Sequence, residues 1–313
     1  MLNRCHIGDC RVLLREFAAA GVRVQTCVTS PPYFGLRDYG VKGQIGLEPT
    51  PSDYVAQMVE VFRGVRDVLA DDGTLWLNLG DSYAGVRGYQ VSQTKHRTHQ
   101  YGQANRAKSL PDGFKPKDLI GIPWRVAFAL QADGWYLRSD IIWHKPNAMP
   151  ESITDRPTKA HEYLFLLSKS ESYFYDYEGA KEPADPQYAG RYAYAFGGNK
   201  SAKMTADEAQ GAGSRTHPIG EREYDGKRNR RTVWTIPTSA FDGAHFATFP
   251  PELIEPCILA GSRKGDVVLD PFLGSGTTAE VAEHLGRQWI GCELNPDYMS
   301  LQTKRLQQRA MPL

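Results

Sequence analysis

Residues 266–293 constrain the fold more than any other stretch. Asp266-Val267-Val268-Leu269-Asp270 is a short β-branched run that reads as a buried strand. Pro271-Phe272-Leu273-Gly274-Ser275-Gly276-Thr277-Thr278 then turns the chain into an Ala/Val/Leu helix ending at Gly286, and Trp289-Ile290-Gly291-Cys292-Glu293 is the next strand. Strand, glycine turn, helix and strand make a βαβ unit, and with it an α/β fold. The glycines let backbone approach a ligand, and Glu293 ends the second strand, where an acidic residue takes two ribose hydroxyls. Gly274-Ser275-Gly276-Thr277-Thr278-Ala279 formally fits the dinucleotide fingerprint G-x-G-x-x-A, so a nicotinamide-dependent dehydrogenase is one reading. Asp270 argues against it. A carboxylate at the strand terminus repels a pyrophosphate and suits a cation such as the α-ammonium of a methionine moiety.

Far upstream, Val24-Gln25-Thr26-Cys27-Val28 reads as another buried strand, ending in Thr29-Ser30-Pro31-Pro32-Tyr33. Two prolines fix φ at about −65° twice and remove two backbone donors. The Ser30 and Pro31 carbonyls therefore stand outside any continuing helix, at the strand end where open α/β sheets bind ligands. Such a site suits a planar ring carrying an exocyclic amino group. The carbonyl and hydroxyl oxygens accept the amino protons, and Tyr33 offers a stacking face. Alone, the motif reads first as a proline-rich turn with a core tyrosine. Beside the glycine turn it gains meaning, because Asp270 for an ammonium and Glu293 for a ribose together describe S-adenosylmethionine (SAM).

With 41% hydrophobic and 23% charged residues and a formal charge of +1, the 313-residue chain reads as a soluble globular protein whose nucleic-acid contacts must come from local clusters. Residues 84–117 lack a hydrophobic period and carry seven basic residues, among them Lys95 and Arg97, against Asp112 alone. They read as a mobile basic loop that touches phosphates. Residues 173–232 are rich in Gly, Tyr and Pro and close on Lys227-Arg228-Asn229-Arg230-Arg231. Tyrosines from Tyr175 to Tyr194 are too many for a linker, so this stretch reads as a recognition module, with Lys227, Arg228, Arg230 and Arg231 toward DNA. Helices are expected from Ser52 to the Asp72-Gly73 stop, over 122–132 and over 252–259, and strands over 74–79, 136–143 and 162–167. The five cysteines (Cys5, Cys10, Cys27, Cys257 and Cys292) are scattered and never spaced C-x-x-C, which points to a reducing cytoplasm without zinc or disulfides. No apolar signal core and no membrane-length apolar run are present.

The pair Thr29-Ser30-Pro31-Pro32-Tyr33 and Asp270-Pro271-Phe272-Leu273-Gly274-Ser275-Gly276-Thr277-Thr278, in that order, resembles the amino-methylating DNA methyltransferases of the β arrangement, over roughly residues 3–306. The resemblance implies a Rossmann-like SAM-dependent methyltransferase sheet, circularly permuted in sequence, with an inserted target-recognition region. Residues 1–172 would be the catalytic half, 173–232 the recognition region and 233–313 the SAM-binding half. It implies that Asp9 and Cys10 of Gly8-Asp9-Cys10 wrap back to the adenine, and that residues 245–250, with Phe249, face the methionine side. Thr29, Asp270, Pro271, Phe272, Gly274, Ser275, Gly276, Thr277 and Glu293 would complete the cofactor site, and Ser30, Pro31, Pro32 and Tyr33 the catalytic one. Double-stranded DNA is the implied partner in a bacterial or phage-encoded cytoplasmic enzyme. A separately encoded restriction endonuclease and a homodimer stay open.

The chemistry implied is direct methylation of an exocyclic amine on a base taken out of the duplex. In the family, Ser at the first motif position accompanies N4 of cytosine, whereas Asp or Asn accompanies N6 of adenine. Ser30 therefore favours cytosine, with adenine as the alternative. Methylation at cytosine carbon 5 would need a nucleophilic cysteine, and Cys257 after Pro256 lies in an apolar helical pattern that reads as core. A silent DNA-binding protein is the alternative outside enzymes. Asp81 and Ser82 read equally as pocket or turn residues, and Asp38, His144 and His161 as structural or DNA-facing.

Overall fold

The computed structural model describes residues 1–85, 90–91, 113–185, 226–238 and 249–308. Two compact units emerge, Met1–Asp176 with Thr232–Leu313, and Tyr177–Arg231. In the first unit the chain runs β1 (Arg4–Ile7), α1 (Cys10–Ala19), β2 (Val24–Thr29), β3 (Arg37–Asp38), α2 (Pro51–Val68), β4 (Leu69–Leu79), β5 (Gln90–Val91), α3 (Ile122–Ala132), β6 (Tyr136–His144) and β7 (His161–Ser168). The second unit contributes β8 (Glu182–Pro183) and β9 (Lys227–Arg228), before β10 (Val233–Thr235), α4 (Pro251–Gly261), β11 (Val267–Asp270), α5 (Thr277–His284), β12 (Gln288–Glu293) and α6 (Met299–Gln308) complete the first.

The central sheet has the order β1-β12-β11-β2-β4-β7-β6-β10 among the described residues. All neighbours pair in parallel except β7, which is antiparallel to both β4 and β6. The N-terminal β1 pairs with the C-terminal β12, and β2 lies beside β11, so the chain's two ends build one side of the sheet together. This is the α/β architecture expected from residues 266–293.

Local chemistry accounts for the helices. Thr50 caps α2 by accepting from the Asp53 amide at 3.1 Å, Pro51 occupies the first turn, and Tyr54, Met58, Phe62, Val65 and Val68 bury one stripe. Helices α1, α2 and α3 pack in series and share an apolar cluster with β2, β4 and β7, while α4 and α5 pack on each other. The helix expected to stop at Asp72-Gly73 stops at Val68. Leu69 is fully buried and turns extended to pair with Val24, and the register slips before Thr26 meets Thr74. Tertiary pairing overrides the local stop signal there.

In the second unit, Glu182 pairs with Arg228 across a two-stranded ribbon, with their side chains 2.7 Å apart, and Arg230 donates to the Ala180 carbonyl at 3.2 Å. Its first residue is Tyr177, so Tyr173 and Tyr175, expected in the recognition region, belong to the first unit instead. Tyr175 stacks there on Trp76, with centroids 6.5 Å apart. Among the described residues, no helix is long and apolar enough to cross a membrane.

Candidate active site

Parallel strands deliver their carboxyl ends to one edge of the sheet, and here β1, β2, β4, β11 and β12 all end on it. Because β7 runs the other way, its first residues arrive at that same edge, Tyr163 opposite Leu79 and His161 opposite His144. A cleft at this edge is lined by Asp9, Cys10, Ser30, Pro31, Pro32, Tyr33, Phe249, Asp270, Pro271, Phe272, Gly274, Ser275, Thr277 and Glu293. Two motifs about 240 residues apart in sequence thus share one cleft.

Asp270 is 2% exposed. It accepts from Thr29 Oγ1 at 2.6 Å, Thr278 Oγ1 at 2.6 Å and the Phe272 amide at 3.0 Å. These donors are neutral, and burial pushes the carboxyl up to about 6 despite them. Glu293 accepts from the Gly274 amide at 2.9 Å and the Asn295 amide at 2.8 Å, and burial, with Asp270 nearby, raises it too. Both carboxylates face an apolar-lined cleft and, among the described residues, have backbone and hydroxyl donors alone, an arrangement that favours a ligand bringing its own positive charge and hydroxyl donors. Thr29 and Gly276 support this end without lining the cleft. Gly276 adopts φ 91° as the N-cap of α5, a conformation that disfavours other residues.

Two residues of α6 hold the glycine turn. Gln302 donates to the Gly274 carbonyl at 2.7 Å. The buried Arg305 donates to Ser275 Oγ at 3.0 Å and to Thr277 Oγ1, and pairs with Glu280 at 3.3 Å. The only sequence signal was an Arg and a Gln on one face of a terminal helix. The loop after Tyr33 also reaches the cleft, with Arg37, Tyr39 and Gln44, and so does Tyr298. Asp9 caps α1 and is tied to Arg11, whose guanidinium holds its carboxyl below the ordinary range. The Cys10 thiol is pushed up to about 12 by burial, which leaves it inert.

In the Ser-Pro-Pro-Tyr turn, Tyr54 Oη donates to the Pro32 carbonyl at 2.9 Å, which pins the turn to α2. Among the described residues no backbone amide donates to the Ser30 or Pro31 carbonyl. The Tyr33 hydroxyl donates to Glu162 Oε2 at 2.7 Å and accepts from Asn78 Nδ2 at 2.7 Å. Asn78 also reaches Ser30 Oγ at 3.3 Å and Glu162 at 3.1 Å. Lys145 pairs with Glu162 and lies over the Trp143 ring at 4.1 Å. The Tyr33 ring rests on Gly80, where an added Cβ would meet ring carbon Cε2 at 2.5 Å. Asn78, Lys145 and Glu162 were not singled out as site residues from sequence: Asn78 sits inside an apolar strand, Lys145 just after β6 and Glu162 beside His161 at the start of β7, and no local pattern joins them.

Asp81 accepts from the Gly121 and Ile122 amides at 3.0 Å and caps α3. Cys257 is fully buried inside α4 and donates to the Leu253 carbonyl, which removes it as a nucleophile. His144 contacts Thr235 at 3.1 Å, and His161 packs edge-on to Tyr163. Lys227 and Arg231 are exposed on the second unit. Lys95, Arg97 and residues 245–248 lie outside the described residues.

A DNA methylase family model covering N6 and N4 methyltransferases matches residues 24–304. The chain is 49% identical over 301 residues to the Type II methyltransferase M.Cfr9I of Citrobacter freundii, covering 96% of this chain and 86% of that one. It is 50% identical over 285 residues to M.SmaI of Serratia marcescens, covering 90% and 84%. Among solved structures, the cytosine-N4-specific PvuII DNA methyltransferase shares the fold with a TM-score of 0.62 at 21% identity, over 96% of this chain and 85% of that one. TTHA0409 of Thermus thermophilus, a protein complexed with SAM, aligns with a TM-score of 0.59 at 23% identity, over 99% and 95%. The strand-end glycine turn, the Ser-Pro-Pro-Tyr turn and the match over most of the chain place this protein in the N6/N4 DNA methylase family, as a DNA methyltransferase.

Proposed function

We propose that this protein methylates the exocyclic N4 amine of cytosine in duplex DNA, with SAM as donor. The observation that carries the reading is the shared cleft. Cation-seeking carboxylates and an amine-accepting Ser-Pro-Pro-Tyr turn line it together, joined where Thr29, the residue before Ser30, donates to Asp270. The residues present fit the cofactor. Asp270 would hold the α-ammonium, Glu293 the ribose hydroxyls, Asp9 and Cys10 the adenine side, and Phe249 the methionine side. When bound, SAM supplies an electrophilic methyl on a sulfonium.

The rest is done by the chain. An aromatic amine is a poor nucleophile because its lone pair is delocalised into the ring. Ser30 Oγ and the Pro31 carbonyl, accepting its two protons, favour pyramidal nitrogen and free the lone pair. The gain comes from positioning and from stabilising positive charge as it develops. Reaching this cleft requires the base to leave the duplex, with Tyr33 as one wall of its pocket. Ser30 at the first motif position supports cytosine, and N6 of adenine is the alternative on the same machinery.

In this reading the sheet is a permuted methyltransferase sheet. The unit Tyr177–Arg231 is the target-recognition region, with Lys227 and Arg231 on phosphates while Arg228 holds the ribbon through Glu182. Lys95, Arg97 and Arg230 would add phosphate contacts. The enzyme works in the cytoplasm and modifies sites that a separately encoded endonuclease would cut. Tritium-labelled SAM with mixed-sequence duplex DNA, followed by nucleoside digestion and chromatography, tests the reading. Label in N4-methylcytosine supports it, label in N6-methyladenine keeps the mechanism and overturns the Ser30 argument, and absence of label on DNA overturns the assignment.

A further inference from the structure

The hydrogen bonds around Ser30 have a direction. An ionised carboxylate only accepts, so the Tyr33 O–H points at Glu162 Oε2 and the Asn78 amide presents its NH2, not its carbonyl, to the same atom. The Tyr33 oxygen is then left to accept, from Asn78 at 2.7 Å and from the Ser30 hydroxyl at 3.4 Å. With its proton turned toward Tyr33 and one lone pair facing Asn78 at 3.3 Å, Ser30 keeps a lone pair for the cleft it lines. Lys145 holds Glu162 from the far side, and both side chains are less than one-fifth exposed. The Asn78 side chain is buried beside them. None of this is needed to build the sheet. A Leu at 78 and an apolar residue at 162 would continue the strands they sit in.

Building on the amine-methylation reading, we propose that Ser30, Tyr33 and Glu162 form a proton relay, in which Glu162 receives the proton that the methylated amine must lose. The amine lone pair forms the N–C bond as the methyl–sulfur bond breaks, and that bonding pair stays on sulfur. The nitrogen is left cationic with one proton too many. Its N–H bond breaks, and that proton goes to Ser30 Oγ as the Ser30 hydroxyl proton passes to Tyr33 Oη and the Tyr33 proton to Glu162. The products are a neutral secondary amine, a thioether and a protonated Glu162, which returns its proton to solvent between turnovers. No further reactant is required. Glu162 acts through Tyr33 and Ser30 and is a positioning residue that ends the relay. The same contacts raise the Tyr33 phenol well above its ordinary range, through burial first and the adjacent Glu162 charge second.

The test combines variants of Glu162 and Tyr33 with three measurements. Single-turnover methyl transfer at saturating SAM and DNA should fall at least tenfold in Glu162→Gln and in Tyr33→Phe, within the range of acid–base contributions. The double variant should be no slower than the slower single one, because both cut one relay. Glu162→Asp, which keeps an acceptor, should recover part of the rate. Calorimetric SAM affinity should stay within twofold of the parent throughout. In the unliganded protein, carbon-13 NMR of labelled tyrosines, with Tyr33 assigned through Tyr33→Phe, should show the Tyr33 titration moving down in Glu162→Gln. Should Glu162→Gln fail to fold, as read by thermal melting, Tyr33→Phe and Glu162→Asp carry the same comparison. A folded Glu162→Gln at the parental rate overturns the relay, and so do losses that multiply in the double variant. A parent protein that transfers no methyl to DNA overturns the relay and the reading beneath it. A parent that transfers methyl beside an unaffected Glu162→Gln overturns the relay alone.

Discussion

Two enclosed carboxylates, Asp270 in the cleft lining and Glu162 behind Tyr33, are treated in opposite ways. Glu162 has its cation built in, the Lys145 ammonium, with Tyr33 and Asn78 completing its hydrogen bonds. Asp270 is more deeply enclosed, but hydroxyls and one amide surround it, and its carboxyl rises to about 6. A fold has no use for an uncompensated buried charge, which costs several kcal/mol by order of magnitude. Glu162 therefore reads as finished within the protein, and Asp270 as completed by a ligand. In the proposed reading, Glu162 belongs to the group that shapes the reacting base and Asp270 to the group that takes a cationic cofactor.

The sharpest way to break this contrast is at Asp270. Asp270→Ala should abolish measurable SAM binding in calorimetry, whereas Ser30→Ala should leave it within twofold and lower turnover at least tenfold. Normal SAM affinity in Asp270→Ala would make the two carboxylates alike and sink the cofactor assignment. Next in size is Arg305→Met, which leaves Glu280 and the hydroxyls of Ser275 and Thr277 without their buried donor. Breaking a buried pair from one side should cost about 3 kcal/mol in denaturant unfolding and weaken SAM binding with it. An unchanged midpoint would show that the glycine turn stands without α6.

A third test uses pH. Because Asp270 binds its proton more tightly folded than unfolded, the unliganded protein should lose stability as pH rises from about 4 to 6, by ~3 kcal/mol at most. Melting of the parent against Asp270→Asn should show a steeper fall in the parent, the remainder in the variant coming from the other raised carboxyls such as Glu293. Smaller again is Gly80→Ala. Its methyl would displace the Tyr33 ring, so turnover should fall several-fold with SAM affinity intact. Equal loss of both would mean that the two ends are not separable. Cys257→Ala should change methyl transfer least of all, with a stability cost of about 1–2 kcal/mol from the lost side chain.

The Asp270 end was readable from sequence because its parts are contiguous. Strand, glycine turn, helix and acidic strand end fall within residues 266–293, and period and spacing carry them. The Ser30 end was readable only as far as the contiguous motif, Ser30 to Tyr33. Glu162, Lys145 and Asn78 join it through an antiparallel strand and its neighbours, a pairing that leaves no local pattern. Likewise, the buried role of Arg305 depends on where a terminal helix packs, and the early end of α2 on the pairing of Leu69 with Val24. The basic run at 227–231 was read as uniformly DNA-facing, yet Arg228 is spent on Glu182, because charge in sequence does not reveal its partner.

The most direct measurement is the proton balance of SAM binding, by calorimetry near pH 6 in buffers of different ionisation enthalpy. If Asp270 takes the cofactor's ammonium, binding should release a sizeable fraction of a proton in the parent and weaken up to tenfold per pH unit below 6, with both effects clearly reduced in Asp270→Asn to what Glu293 contributes. Binding with no proton release, or with the same release in Asp270→Asn, would contradict the claim that this carboxylate is completed by the cofactor.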